Sequence, residues 1–223
     1  MSMSTSHRSA LASVLRIGFL ALVLGVDVAC SAATTLGVNE TIASQEESHQ
    51  AEAALLGAFK EQDDLPDSVP LKPVIKNPLW WSASEGGKRL LVPVHIRYQG
   101  LKNSYCRFVT LSADLQTAEL TPVPPQVNFD DCSEVATTLY FDINGDGVLD
   151  VIQGVRVKSN RYATTAVVPI VYLSSATAKS GYCYSEPATR QLQPADLGSI
   201  GRAQKALEDA KQRLGISQFE CSQ

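Results

Sequence analysis

In a chain of 223 residues, one short stretch concentrates hard oxygen donors at even spacing. It reads Asp142-Ile143-Asn144-Gly145-Asp146-Gly147-Val148-Leu149-Asp150, with oxygen-bearing side chains at loop positions 1, 3, 5 and 9 and glycine at position 6. Calcium takes about six to eight oxygen ligands at roughly 2.3–2.6 Å, and a peptide supplies them by turning tightly around the ion. Gly147 permits that turn because it reaches backbone angles closed to other residues. Asp142, Asn144, Asp146 and Asp150 would contribute side-chain oxygens, and Val148 its backbone carbonyl. Three carboxylates this close repel one another unless a cation sits between them. A metal-free Asn-Gly or Asp-Gly hairpin turn is the competing reading, but such a turn does not call for four spaced Asp and Asn side chains. Ca²⁺ is therefore the expected cofactor.

The loop resembles the calcium loops of EF-hands, dockerins and the FG-GAP/VCBS repeats of integrin-like propellers. An EF-hand would carry a bidentate Glu at position 12, where this chain has Gln153. The flanks, Leu139-Tyr140-Phe141 before and Val151-Ile152-Gln153-Gly154-Val155 after, read as strands. That makes the FG-GAP/VCBS pattern the nearer one, over residues 141–154, and it occurs once. A propeller needs about four or more blades, so the resemblance implies a strand–calcium loop–strand unit and not a propeller.

Other chemistry is sparse. The chain has no G-x-S-x-G elbow, H-E-x-x-H pair, phosphate-binding P-loop or dinucleotide fingerprint. Beyond the N-terminal segment the histidines are His49 and His95, and neither has a partner in sequence that would make it a catalytic base. Asp130-Asp131 reads as a solvated turn before Cys132, with acid/base work as the alternative. Trp80-Trp81 is the other conspicuous pair. Neighbours on a strand face opposite ways, so one ring is expected in the core and the other partly exposed, where it could hold a partner or stack on a sugar; the competing reading packs both rings under the N-terminal helix.

The N-terminus reads as an export signal, residues 1–32. His7, Arg8 and Arg16 precede an apolar run at residues 17–26, followed by small residues around Cys30. The run is shorter than the roughly 20 residues of a membrane span and suits a signal core. Val28-Ala29-Cys30 resembles the end of a bacterial lipobox, although Asp27 stands where an aliphatic residue belongs. Cys30 is thus a candidate lipidation site, and membrane association would depend on it. The remaining cysteines, Cys106, Cys132, Cys183 and Cys221, number four and allow three pairings. Cys106–Cys132 with Cys183–Cys221 is the sequence-local choice, in an oxidising compartment. Loss of the signal would remove Arg8, Arg16 and Asp27 and shift the net charge from −4 to −5. A mildly acidic chain without a basic run is not expected to bind nucleic acid.

The elements that must position the loop follow from periodicity. Residues 33–43 read as a flexible tether and 44–223 as one disulfide-bonded domain. A helix is expected over residues 44–61, opened by a Ser44/Glu47 capping box, and another over 199–214, with Gly215 as its left-handed cap and Asp209/Arg213 as an ion pair. Prolines make 63–78 an extended connector. Strands are expected at 90–98, 105–111, 118–123, 137–141, 148–157, 165–173 and 182–184. Pro93 marks the first as an edge or bulged strand. The expected fold class is α+β: a mostly antiparallel β-sheet with an N-terminal and a C-terminal helix packed on it and one strand–loop–strand calcium site.

The functional expectation is a non-enzymatic, exported, calcium-binding protein, periplasmic or secreted, acting on a protein partner, as an immunity or inhibitor protein does. Two alternatives from other classes are an envelope carbohydrate- or peptidoglycan-binding module that uses Trp80 and Trp81 on a glycan, and a calcium-assisted hydrolase that uses His95.

Overall fold

Hairpins dominate the chain. The computed structural model describes residues 41–62, 71–83, 87–98, 104–122, 132–158 and 165–222. The expected signal, Cys30, the first part of the tether and Asp130-Asp131 lie outside the described residues.

Strand β1 (Thr41–Ile42) precedes helix α1 (Gln45–Gln62). Strands β2 (Leu71–Ile75), β3 (Leu79–Ala83), β4 (Gly87–Tyr98), β5 (Ser104–Leu111) and β6 (Ala118–Leu120) follow. With β1 they make one sheet in the order β1-β3-β4-β5-β6, β2 pairing with β4 beside β3. A second sheet is built from β7 (Cys132–Phe141), β8 (Asp150–Lys158), β9 (Thr165–Ser174) and β10 (Tyr182–Tyr184), in the order β10-β9-β8-β7. Helix α2 (Glu186–Thr189), a 3-10 turn (Pro194–Gly198) and helix α3 (Ile200–Leu214) close the chain. Every strand pair is antiparallel.

Strand alternation distributes the side chains into three apolar layers. Leu90, Val92, Val94 and Ile96 of β4 face Ala51, Leu55 and Phe59 of α1. Leu91 of β4, with Cys106 and Phe108 of β5, packs against Val151, Val155, Ile170, Tyr172 and Tyr182 of the second sheet. The far face of that sheet, including Ile152 and Val171, is covered by Leu197, Ala203, Leu207 and Ala210. Both faces of each sheet are therefore buried, and β8 is buried from Asp150 through Val155 with no solvent face to enforce alternation. Phe108 stacks on Tyr172 at 5.3 Å and meets Tyr182 edge-on at 5.0 Å, in the middle of the inter-sheet layer.

This architecture corrects the expected fold class. One sheet carrying an N-terminal and a C-terminal helix is replaced, among the described residues, by two sheets and three α-helices, and no N-terminal helix is described; α1 follows β1, which pairs with β3. Residues 41–42, expected in the tether, are β1, and residues 71–75, expected in the connector, are β2. Proline-rich extended backbone is compatible with an outer strand such as β2. Pro93 lies in an interior strand, not on an edge. Its carbonyl accepts from Lys76 N, between the stretches of β4 paired with β2 and with β3. A residue's N and O point the same way in an antiparallel strand, so the missing N–H falls at that break. Asp209 pairs with Lys205 at 2.6 Å, while Arg213 reaches Gln191.

Local signals act as their chemistry requires elsewhere. Ser44 and Glu47 exchange both capping-box hydrogen bonds, at 2.7 and 3.2 Å. Gly215 ends α3 at φ 67°, its N–H and that of Ile216 closing onto Gln212 and Lys211 carbonyls. Cys106–Cys132 joins β5 to β7 across the two sheets, and Cys183–Cys221 joins β10 to the segment beyond α3. These two disulfides belong to a non-reducing environment. No helix among the described residues is long and apolar enough to cross a membrane.

Candidate metal centre

The Asp142–Asp150 loop connects β7 to β8, whose last and first residues, Phe141 and Asp150, stand opposite each other. Gly145 and Gly147 take φ 76° and 80°, so both glycines are needed for the turn. The Asp142 carboxylate lies inside the turn. Its Oδ1 accepts from Gly145 N at 2.6 Å and Asp146 N at 3.2 Å, and its Oδ2 from Gly147 N at 2.8 Å. Asp146 Oδ1 accepts from Val148 N at 2.8 Å, and its Oδ2 from the Ser174 hydroxyl at 2.8 Å. Asp150 Oδ2 accepts from Ile143 N and Oδ1 from Ser174 N, both at 2.7 Å.

Asp150 is fully buried at the mouth of β8. Burial pushes its carboxyl up to about 7; the nearby charges of Asp146 and Asp142 push the same way, and the two backbone hydrogen bonds oppose them. The loop thus gathers negative charge where ionising it is costly.

Asn144 carries the most telling atom. Its Oδ1 is shielded from solvent and has no hydrogen-bond partner, although buried acceptors are almost always satisfied. Its backbone carbonyl accepts from Gln218 Nε2 at 3.1 Å. Among the described residues, no three His, Cys, Asp or Glu side chains form a metal-binding group by themselves. A calcium loop is not restricted to those groups, since amide and backbone oxygens serve as well. Each carboxylate oxygen that holds a single N–H here keeps a second lone-pair direction. The residues therefore fit a hard divalent cation held by Asp142, Asn144, Asp146 and Asp150 side chains and the Val148 carbonyl, the unsatisfied Asn144 oxygen being the observation that favours it.

Three supporting residues escaped sequence reasoning. Ser174 on β9 holds Asp146 and Asp150 at once, and nothing in sequence links it to a loop at that separation. Gln218 lies beyond α3. Lys211 is 9% exposed, and its Nζ donates to Ile143 O at 2.6 Å and to Glu208 at 2.8 Å. It sits four residues after Leu207, on the stripe with Ala203 and Ala210, so a lysine in an apolar stripe was the available signal.

The remaining candidates lie apart from the loop. Trp80 and Trp81 are both buried, at 4% and 5%, which corrects the expectation that one is exposed. They do face opposite ways, but α1 covers one face and the second sheet the other. Trp80 Nε1 donates to Glu47 at 2.9 Å and the Lys88 ammonium lies 4.1 Å from its ring centre. His49 is exposed on α1 near Glu52. His95 is buried beside the Cys106–Cys132 disulfide, with Cys106 opposite it on β5.

No family model matches this chain, and no curated protein or solved structure matches it either.

Proposed function

We propose that this is an exported calcium-binding protein in which the ion stabilises a strand junction, and that it acts through a protein interface, as an immunity or inhibitor protein does, without catalysis of its own. The observation that carries the calcium reading is the Asn144 Oδ1 atom, shielded and unpartnered inside a loop with three carboxylates. The ion would supply the positive charge that the loop lacks. Asp142 caps three loop N–H groups, Asp150 anchors the loop to β9, and Ser174 aligns Asp146. Export is supported by the basic, apolar and small-residue order at the N-terminus together with the two disulfides. The glycan reading loses Trp80 and Trp81 as stacking surfaces, since both are buried. The hydrolase reading lacks a shared cleft, because the pocket beside His95 is lined by no loop residue.

The test is thermal melting of the oxidised protein in EDTA and in millimolar Ca²⁺, beside an Asp142→Ala/Asp146→Ala protein. A calcium-dependent rise in Tm that the double variant lacks is expected. Equal melting in EDTA and calcium would discard the metal reading and leave the loop as an ordinary turn.

A further inference from the structure

A second polar site lies where β2, β4 and β7 meet. A cleft of about 250 Å³ is lined by Lys72 and Lys76 of β2, His95 and Arg97 of β4, and Ser133 and Glu134 of β7. Register explains the convergence. Lys72 stands opposite Arg97 and Val74 opposite His95, so alternate residues of the two strands share one face. Lys72, Lys76 and Arg97 are exposed, and none forms an ion pair with another described residue. Glu134 is already engaged by Arg156 at 2.6 Å, which leaves the cleft with a cationic surplus.

His95 points to what fills it. The residue is only 6% exposed, lines the cleft, and its Nε2 has no partner. The other ring nitrogen is held by the Cys132 backbone, whose carbonyl is also fixed by Ser104 Oγ at 2.5 Å. The imidazole is thereby held with one unsatisfied, solvent-shielded nitrogen, in the wall of a cleft that Lys72, Lys76 and Arg97 also line. A buried polar atom of this kind calls for a ligand atom. A carboxylate brings one charge and two oxygens against three cations. A phosphoryl group, with a second ionisation at a pKa of about 6, brings up to two charges and at least three acceptor oxygens, enough for the cations and for a proton bridging an oxygen to Nε2.

We propose that this cleft binds a phosphoryl oxyanion, either free phosphate or the phosphate of a monoester, with Lys72, Lys76 and Arg97 on its oxygens and His95 Nε2 sharing its proton. Arg97 provides the planar fork suited to two oxygens at once, and the lysines act as point charges. The site is separate from the calcium loop and independent of it.

The experiment is ¹H–¹⁵N NMR of the histidine side chains in the full-length, oxidised protein, titrated at constant ionic strength with inorganic phosphate, phenyl phosphate and acetate. His95 should shift saturably with phosphate, while His49, exposed on α1, stays still as an internal reference. Phosphate should also raise the pH at which His95 titrates, since the cations that act on it, Arg97 and Lys76, then have their charge answered, while Glu134 remains paired. Equal or tighter binding of phenyl phosphate assigns the site to monoesters, and its exclusion assigns it to the free ion. Arg97→Gln and Lys76→Gln, both at exposed positions, should each weaken binding about tenfold, the cost of losing one charge-assisted hydrogen bond. Lys205→Gln on α3 should not. A non-saturating His95 shift, the same affinity in Arg97→Gln, or an equal response to acetate would each overturn the proposal.

Discussion

Asn144→Ala separates a calcium ligand from a turn residue more cleanly than any aspartate replacement. Replacing Asp142 or Asp146 removes hydrogen bonds that hold the loop without metal, three N–H groups in the first case. Asn144 Oδ1 holds none. Its removal deletes an unsatisfied buried acceptor, so in EDTA the variant should be unchanged in stability or more stable by up to about 1 kcal/mol. With calcium the sign reverses. Exported calcium modules bind with Kd of about 10⁻⁴–10⁻³ M, so roughly 10 mM Ca²⁺ stabilises the native protein by about 1.4–2.7 kcal/mol. For a domain of this size that is a Tm rise of about 3–10 °C. Losing a direct ligand should weaken binding about tenfold or more, as even outer groups do, and the stabilisation then falls to about 0.4–1.4 kcal/mol. Differential scanning fluorimetry across a calcium series measures both quantities. A calcium-dependent rise in wild type that persists in full in Asn144→Ala would refute the assignment of Asn144 as a ligand.

Gly154→Ala should destabilise by about 1–3 kcal/mol through overpacking, because a Cβ there would lie 2.7 Å from Thr137 Cγ2 and 2.8 Å from Leu197 Cδ1; urea melts that match wild type would show that the 3-10 turn yields freely. Burial, with Arg97 adding to it, depresses the pKa of His95 below its ordinary 6.5. The native state then binds fewer protons than the unfolded one, so this contribution is whole above about pH 6.5 and is lost as pH falls. The stability difference between wild type and His95→Gln should narrow or reverse from pH 7 to pH 5, and a difference constant with pH would contradict it.

Local chemistry was legible, and long-range assembly was not. The loop, the Ser44/Glu47 box, the Gly215 cap and the strand at 182–184 each depend on residues within a few positions, so type and spacing sufficed. The two disulfides were readable because the sequence-local pairing is also the one that spans the layers. The split into two sheets depends on where β7 pairs, and no local pattern decides that between β6 and β8. The burial of Trp80 and Trp81 follows from layers on both sides of the first sheet, whereas alternation alone says only that they diverge. Pro93 reads as an edge residue until the break between β2 and β3 is known. At the candidate site the spaced Asp and Asn side chains stand out in sequence, but Ser174, Lys211 and Gln218 reach the loop through tertiary packing.

Those three residues make the loop a junction of elements, and this couples it to a disulfide. Gln218 holds the Asn144 carbonyl, and three residues later Cys221 is bonded to Cys183 on β10. On the other side, Ser174 holds Asp146 and Asp150 and pairs with Tyr182 on the same β10. The segment after α3 is thus tied at both ends to the structure that shapes the loop. Opening Cys183–Cys221 leaves that end on buried Phe219 and the hydrogen bonds of Glu220 and Ser222 to residues 184–186, so the loop should be somewhat less ordered before calcium arrives and part of the binding energy should go to ordering it. Calcium should therefore stabilise a Cys183→Ser/Cys221→Ser protein less than wild type, with a coupling of about 0.5 kcal/mol or more in a double cycle of melts with and without the ion. The Cys106–Cys132 bond has no such contact with the loop, and its removal should leave the calcium increment intact. Equal increments in both disulfide variants would refute the coupling and show that the loop is ordered independently of the Cys183–Cys221 bond.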